Sequence, residues 1–236
     1  MCRTLEERPG YDRVFLLRVQ GEGSSRSAPA VSTPVELLLI RHGLPVRKES
    51  VDGPADPELD EQGRAQAVLL ADYLASESFN AIYSSPLRRA LETAAPLADA
   101  QGLEVSIADG VAEFDRHANS YVPVEELRAN NDPRWKEMLS GSREDSTEFR
   151  ALVIETVTSI VSRHKGEKVA VVCHAGVIGA YLADVLGVTM TGPSFFAPNY
   201  TSIHRVMASR SGNRSIHTLN ETAHLRGAGL RIGLYE

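Results

Sequence analysis

From Val35 onward the chain alternates short apolar runs with stretches of helical period. Val35-Glu36-Leu37-Leu38-Leu39-Ile40 is apolar but for one residue, the pattern of a strand buried on both faces. A polar loop follows, and Asp60 is then placed to cap a helix whose Ala67, Leu70, Ala71 and Leu74 fall at i, i+3, i+4 and i+7 on one face. Phe79 to Tyr83 reads as a second strand. Ser85-Pro86 supplies an N-cap and a first-turn proline for the next helix, with Leu87, Ala90, Leu91 and Ala94 as its apolar stripe, and Pro96 is expected to kink or end it. Leu103 to Ile107 predicts a third strand. The stretch from Ala108 to Ser146, with Trp135 and several Asn and Pro, has little regular period and is expected to form a lid. Phe149, Leu152, Val153, Val157, Ile160 and Val161 mark a long helix, Lys168 to Cys173 a further strand, and Val177 to Leu186 a helix closed by Gly187. Ser202 to Ala208 and Arg214 to Leu219 read as two late strands.

Strands and helices alternating in this way predict an α/β fold, a three-layer α/β/α arrangement with a mostly parallel central sheet. The folded domain is expected over residues 35–225, with 226–236 as a C-terminal tail. Residues 1–34 have no core-forming period and include a Gly/Ser/Pro stretch, Gly21 to Pro29, so they read as a flexible leader. Val14 to Val19 is too short, and is interrupted by Arg18, for a secretory apolar core. Glu6, Glu7, Asp12 and Glu22 argue against an Arg-rich targeting peptide.

Composition narrows the partners. Lys and Arg number 25 against 31 Asp and Glu, a net charge of −6 with no run of like charge. Nucleic acid and anionic membrane surfaces are therefore disfavoured, and an anionic ligand needs a local basic pocket. No apolar run approaches the roughly 20 residues of a membrane span, so no membrane partner is expected. Cys2 and Cys173 make neither a disulfide framework nor a thiolate cluster, which suits a reducing cytoplasm. Cys173 and His174 should point to opposite faces of their strand, which leaves Cys173 as a core residue. His204, His217 and His224 have no metal-ligand spacing, and neither a metal nor another cofactor is expected. Nothing in the pattern sets an oligomeric state.

In sheets of this kind ligands sit beyond the C-terminal strand ends, so the residues that follow each strand carry the chemistry. The first strand runs into Arg41-His42-Gly43, the second into Ser84-Ser85-Pro86-Leu87-Arg88-Arg89, the third leads to Glu113, and Lys168 to Cys173 ends in His174-Ala175-Gly176. Two histidines, at least two arginines and a glutamate converge on one edge. Arginine forks match phosphate oxygens, and the N–H groups of Gly43 and of the helix start near Ser85 are candidate neutral donors. A neutral imidazole nitrogen is nucleophilic near pH 7, and its phosphoramidate is labile enough to be hydrolysed in a second step. Arg116, His117 and Tyr121 either line the substrate pocket or decorate a loop.

These motifs resemble the histidine phosphatase superfamily, also called phosphoglycerate mutase-like. Leu38-Leu39-Ile40-Arg41-His42-Gly43 is similar to its N-terminal signature, Asp60 to Ala67 to the helix that follows, Ser84 to Ala94 to its second helix, and Val172-Cys173-His174-Ala175-Gly176 to its second-histidine motif. The resemblance covers Val35 to Leu219. It implies that His42 accepts the phosphoryl group, that Arg41 and Arg89 bind it with Gly43 beside them, that His174 neutralises and orients it, and that Glu113 gives the leaving oxygen its proton and later serves as base for water. Glu113-Phe114-Asp115 departs from the family's usual pattern at this point, which leaves Asp115 as an alternative acid. The reaction implied is hydrolysis of a phosphorylated small molecule by a phosphatase of the histidine acid or broad-specificity type. The alternatives are a phosphoglycerate mutase-type transfer and a non-catalytic phosphate-binding module. Only 61 residues (174 − 113) separate Glu113 from His174, where mutases of the family carry a longer insertion, and Arg41, His42, Arg89 and His174 are all present.

Overall fold

A computed structural model of the chain describes residues 33–140, 146–189, 197–209, 212–231 and 233. The expected leader lies outside the described residues except for Thr33 and Pro34. In chain order the elements are β1 (Val35–Arg41), β2 (Lys48–Glu49), α1 (Glu61–Leu74), β3 (Ala81–Ser84), α2 (Arg88–Gln101) and β4 (Val105–Ile107). After a short 3₁₀ turn come β5 (Ser120–Tyr121), α3 (Val124–Ala129), α4 (Pro133–Ser140), α5 (Ser146–Arg163), β6 (Lys168–Cys173), α6 (Ala175–Leu186), β7 (Ile203–Ala208) and β8 (Arg214–Glu221). The main sheet runs β4-β3-β6-β1-β7-β8. Its β4-β3-β6-β1 portion is parallel, and β7 and β8 join it antiparallel.

Alternation along the central strands builds the three layers. Leu37 and Leu39 of β1 and Val169, Val171 and Cys173 of β6 face one way, onto a core shared with α5 and α6 through Val153, Val157, Ile160, Val177 and Tyr181. Leu38, Ile40, Ala170 and Val172 face the other way, onto Leu70 and Leu74 of α1 and Ala90, Ala94 and Leu97 of α2. Both faces being covered, β1 and β6 read as continuous apolar runs. Cys173 is a buried core thiol, as its place on the strand predicts.

Asp60 caps α1, its Oδ1 accepting the Gly63 N–H at 2.6 Å. The second helix departs from expectation at both ends. It begins at Arg88 with Leu87 in the N-cap position, and Ser85 Oγ, two residues earlier, accepts the Leu87 N–H. It also continues through Pro96 to Gly102, which ends it at a φ of 63°. An interior proline costs about 3 kcal/mol, but Leu97 and Ala98 beyond it are buried, and a fully buried leucine alone recovers about 1.5–3 kcal/mol. Tertiary packing carries the helix past its breaker. The lid stretch contains β5, α3 and α4, elements too short to show a period. Its β5 pairs with β2, Lys48 opposite Tyr121, which ties the lid to the loop that follows β1. Within the stretch expected as a tail, Arg231 lies against α1, its N–H donating to Gln62 Oε1 at 3.0 Å. No helix among the described residues is long and apolar enough to cross a membrane.

Candidate active site

Strand register brings the two histidines together. Arg41 lies opposite Cys173 in the parallel β1–β6 ladder, so the next residue of each strand, His42 and His174, leaves the sheet at the same level. Their ring centroids are 5.0 Å apart. Ser84 lies opposite Val172, so Ser85 emerges on the other side of β6, and its Oγ is 2.8 Å from His174 Nε2.

His42 is buried, and its Nδ1 lies 2.7 Å from the Gly43 carbonyl oxygen. A carbonyl only accepts, so Nδ1 carries the proton and the lone pair of the neutral ring sits on Nε2. Nε2 accepts from Arg89 Nε at 3.3 Å. Burial first, then the charges of Arg89 and Arg41, hold the His42 pKa well below the ordinary histidine value, against a weaker opposing pull from the Gly43 carbonyl. His174 is held down in the same direction by burial, by Arg89 and by the neighbouring His42. This favours the neutral ring, whose Nε2 hydrogen-bonds Ser85 Oγ.

The arginines are fixed on several sides. Arg41 is buried, donates through Nη1 to the Pro198 carbonyl at 2.7 Å, and has its guanidinium 3.9 Å from the centre of the Tyr200 ring. Arg89 is buried, pairs through Nη2 with Asp115 at 3.5 Å and lies 4.7 Å from the centre of the Tyr121 ring. Arg88 pairs instead with Glu92 and Glu58 on the surface. In a chain of net charge −6 the two buried guanidiniums make a local concentration of positive charge, the kind of feature an anion requires.

Glu113 arrives from the loop after β4. Its Oε2 accepts the Gly176 N–H at 3.0 Å and its Oε1 the Phe114 N–H at 3.1 Å. Burial first, and the nearby Asp115 charge second, raise its pKa to about 7 against those two N–H bonds and Arg89. Gly176 leaves no room for a side chain: a β carbon there would overlap Glu113 Oε1. Asp115, the alternative acid, is half-exposed and engaged with Arg89.

The neutral donors expected from the loop backbone are spent elsewhere. Gly43 N–H donates to Thr93 Oγ1 at 2.9 Å, and Ser85 N–H to the Val172 carbonyl at 2.9 Å. Gly43 is small for another reason, since a β carbon would come within 2.7 Å of the Gly63 carbonyl oxygen at the start of α1. Gln66, buried on that helix, accepts the Leu44 N–H at 2.8 Å and so clamps the loop that holds His42. Of the undecided lid residues, Tyr121 joins the site, whereas His117 is exposed and Arg116 bonds the Asp109 carbonyl at 3.3 Å. Tyr200 had no sequence signal: it reaches Arg41 from the turn before β7, and its Oη donates to Glu125 Oε2 at 2.8 Å. Among the described residues, no group of three or more His, Cys, Asp or Glu is placed to hold a metal ion.

The family model for the histidine phosphatase superfamily, branch 1, matches residues 37–222. The chain is 33% identical over 202 residues to phosphoserine phosphatase 1 of Hydrogenobacter thermophilus, covering 81% of this chain and 94% of that protein. It is 26% identical over 204 residues to a probable phosphoglycerate mutase of Yersinia enterocolitica, covering 81% of this chain and 95% of the other. The solved phosphoserine phosphatase of Entamoeba histolytica, in complex with 3-phosphoglyceric acid, superposes with a TM-score of 0.63 at 27% identity, over 81% of this chain and 99% of that one. These likenesses support phosphatase activity and leave the substrate open. The strand-end residues, the three-layer sheet and the matches over most of its length agree: this chain belongs to the histidine phosphatase superfamily, branch 1.

Proposed function

We propose that the chain hydrolyses small phosphomonoesters through a phosphoryl group carried on His42. The observation that carries this reading is the bond from His42 Nδ1 to the Gly43 carbonyl, which leaves Nε2 as an unprotonated nitrogen beside two buried arginines. In the first step Nε2 attacks phosphorus. A P–N bond forms, the P–O bond to the leaving group breaks, and the departing alkoxide takes the proton of Glu113. In the second step a water attacks phosphorus, Glu113 accepts its proton, the P–N bond breaks, and phosphate leaves with His42 restored. Arg41 and Arg89 offset the charge on the phosphoryl oxygens throughout. A dianion beside His174 favours its protonated form, so the second histidine gains its charge with the substrate.

Because the arginines supply positive charge, the reaction needs no metal and should persist in excess chelator. A Glu113 pKa near 7 supports the acid half of the acid or broad-specificity type, since the proton donor is loaded below neutrality. Its breadth is a matter for a panel of sugar phosphates, nucleotides, phosphoglycerates and phosphopeptides. The net charge of −6 supports a small-molecule partner over nucleic acid, and two cysteines, one of them a buried thiol, support the cytoplasm as its location.

The test is to trap the intermediate. Acid quenching should give too little label and alkaline quenching a stable phosphoryl adduct, on His42 alone. His42→Ala should lose both the adduct and turnover. Label on Cys173, or turnover surviving in His42→Ala, overturns the reading. Release of phosphate to water rather than to a second hydroxyl separates a phosphatase from a mutase.

A further inference from the structure

Four buried side-chain polar atoms among the described residues have no hydrogen-bond partner: Arg41 Nε, His174 Nδ1, Glu125 Oε1 and His224 Nδ1. Two of these belong to the phosphoryl pocket as donors. Arg41 Nε–H donates, and His174 Nδ1 donates when protonated, so phosphoryl oxygens satisfy both. Glu125 Oε1 differs in sign. A carboxylate oxygen accepts only, as do the oxygens of a phosphate dianion, so the transferring group cannot satisfy it.

Glu125 is the second residue of α3, in the lid. Its other oxygen, Oε2, is already taken by Tyr200 Oη at 2.8 Å. The Tyr200 ring lies 3.9 Å from the Arg41 guanidinium and 6.0 Å from the centre of the His42 ring. A single phenol thus separates the unmet acceptor from the phosphoryl-binding arginine and the nucleophile, and the Glu125 charge acts directly on Arg41, Tyr121 and Tyr200. An acceptor buried without a partner is costly, and the cost is removed by a ligand that brings a donor.

We propose that Glu125 Oε1 reads the leaving group, so that the chain prefers phosphomonoesters whose alcohol carries a hydrogen-bond donor, an ammonium or a hydroxyl, over those that carry none or only a carboxylate. The inference rests on the pocket being a phosphomonoester site. It adds a specificity residue on the lid, away from the strand-end motifs.

The experiment compares kcat/KM for O-phosphoethanolamine, 2-hydroxyethyl phosphate, ethyl phosphate and phosphoglycolate, with p-nitrophenyl phosphate as the check on catalysis. In the wild-type chain the two donor-bearing esters should exceed ethyl phosphate by at least about tenfold, with phosphoglycolate poorest. The ratio between the first two separates ammonium from hydroxyl. Glu125→Gln can present an amide N–H₂ where the acceptor stood, so the donor preference should collapse to about twofold or less and phosphoglycolate should gain. The same ratios, read as binding by calorimetry to His42→Ala, do not depend on turnover. Equal use of ethyl phosphate and O-phosphoethanolamine by the wild type, or an undiminished preference in Glu125→Gln, overturns the proposal. If the wild type leaves every ester intact, including p-nitrophenyl phosphate, the phosphatase reading falls, and the binding ratios still decide on Glu125. If Glu125→Gln loses cooperative melting, the wild-type ratios alone decide.

Discussion

Arg89 Nε lies 3.3 Å from His42 Nε2, so the guanidinium donates to the ring nitrogen that the proposed mechanism uses as nucleophile. The same side chain reaches Asp115 at 3.5 Å and stacks on Tyr121. In the proposed mechanism it holds the imidazole in line until phosphoryl oxygens take its N–H groups and release the lone pair. Positioning and charge come from one planar group.

Arg89→Lys keeps the charge and removes the fork. A lysine ammonium cannot hold His42, Asp115 and a phosphoryl oxygen at once, so kcat/KM should fall on the order of 10²-fold, and inhibition by inorganic phosphate should weaken in parallel. Steady-state kinetics on p-nitrophenyl phosphate checks both. Wild-type kinetics in Arg89→Lys, with a loss in Arg88→Lys, would move the role to the neighbouring arginine.

The pH profile follows from the two perturbed groups. Glu113 must be protonated to act as acid, so with a pKa raised to about 7 the rate on alkyl phosphates should fall as pH rises through about 7. His42 must be unprotonated, and its lowered pKa puts the acid-side loss below the usual histidine range. Glu113→Gln should remove the alkaline limb. Stability has the matching sign: a pKa raised from 4.5 to about 7 makes the contribution of Glu113 full below 4.5 and progressively lost up to about 7. At about 1.36 kcal/mol per unit, Glu113→Gln should gain on the order of 3 kcal/mol relative to wild type between pH 4.5 and pH 8, read from denaturant melts at the two pH values.

Gly176 donates its N–H to Glu113 and has no space for a methyl group. In Gly176→Ala the carboxyl must move away from the leaving oxygen. Alkyl phosphates should slow about 10²-fold or more, and p-nitrophenyl phosphate, whose leaving group needs little protonation, far less. Equal losses on both substrates would mean that Glu113 is not the proton donor, and Asp115 would take its place as candidate.

Asp60 offers a test of stability away from the chemistry. Its side chain caps α1 at 2.6 Å, and Asp60→Ala should cost about 1 kcal/mol in a denaturant melt. Because α1 also carries Gln66, which holds Leu44 N–H beside His42, fraying of its first turn should lower turnover modestly as well. A large loss of turnover without loss of stability would contradict this account.

The strands and the long helices were legible because burial on two faces, or on one stripe, leaves a period in the residues. Lys168–Cys173 matches its expected bounds, and Gly187 ends α6 in the left-handed conformation at φ 66°. Pro96 misled because its local penalty is outweighed by packing that no short window contains. The lid elements were invisible for a related reason: β2 and β5 span two residues each, and their pairing joins positions some 70 residues apart, as Lys48 and Tyr121 show.

For the site the division runs along similar lines. Residue type and order by themselves brought out the candidate set, since Arg41 ends a strand, His42 and His174 follow one, Arg89 opens a helix and Glu113 comes after β4 and its short 3₁₀ turn, and chain order carries them to one sheet edge. Only the tertiary structure decided which atoms are placed to act. The β1–β6 register sets His42 beside His174, and a single carbonyl, that of Gly43, selects the tautomer that exposes Nε2. Folding also turned the Gly43 N–H away to Thr93 and brought Tyr200 and Glu125 up to Arg41 from distant parts of the chain. Such contacts depend on distances between non-neighbouring backbones, and those distances are set by how the layers pack rather than by any pattern along the chain.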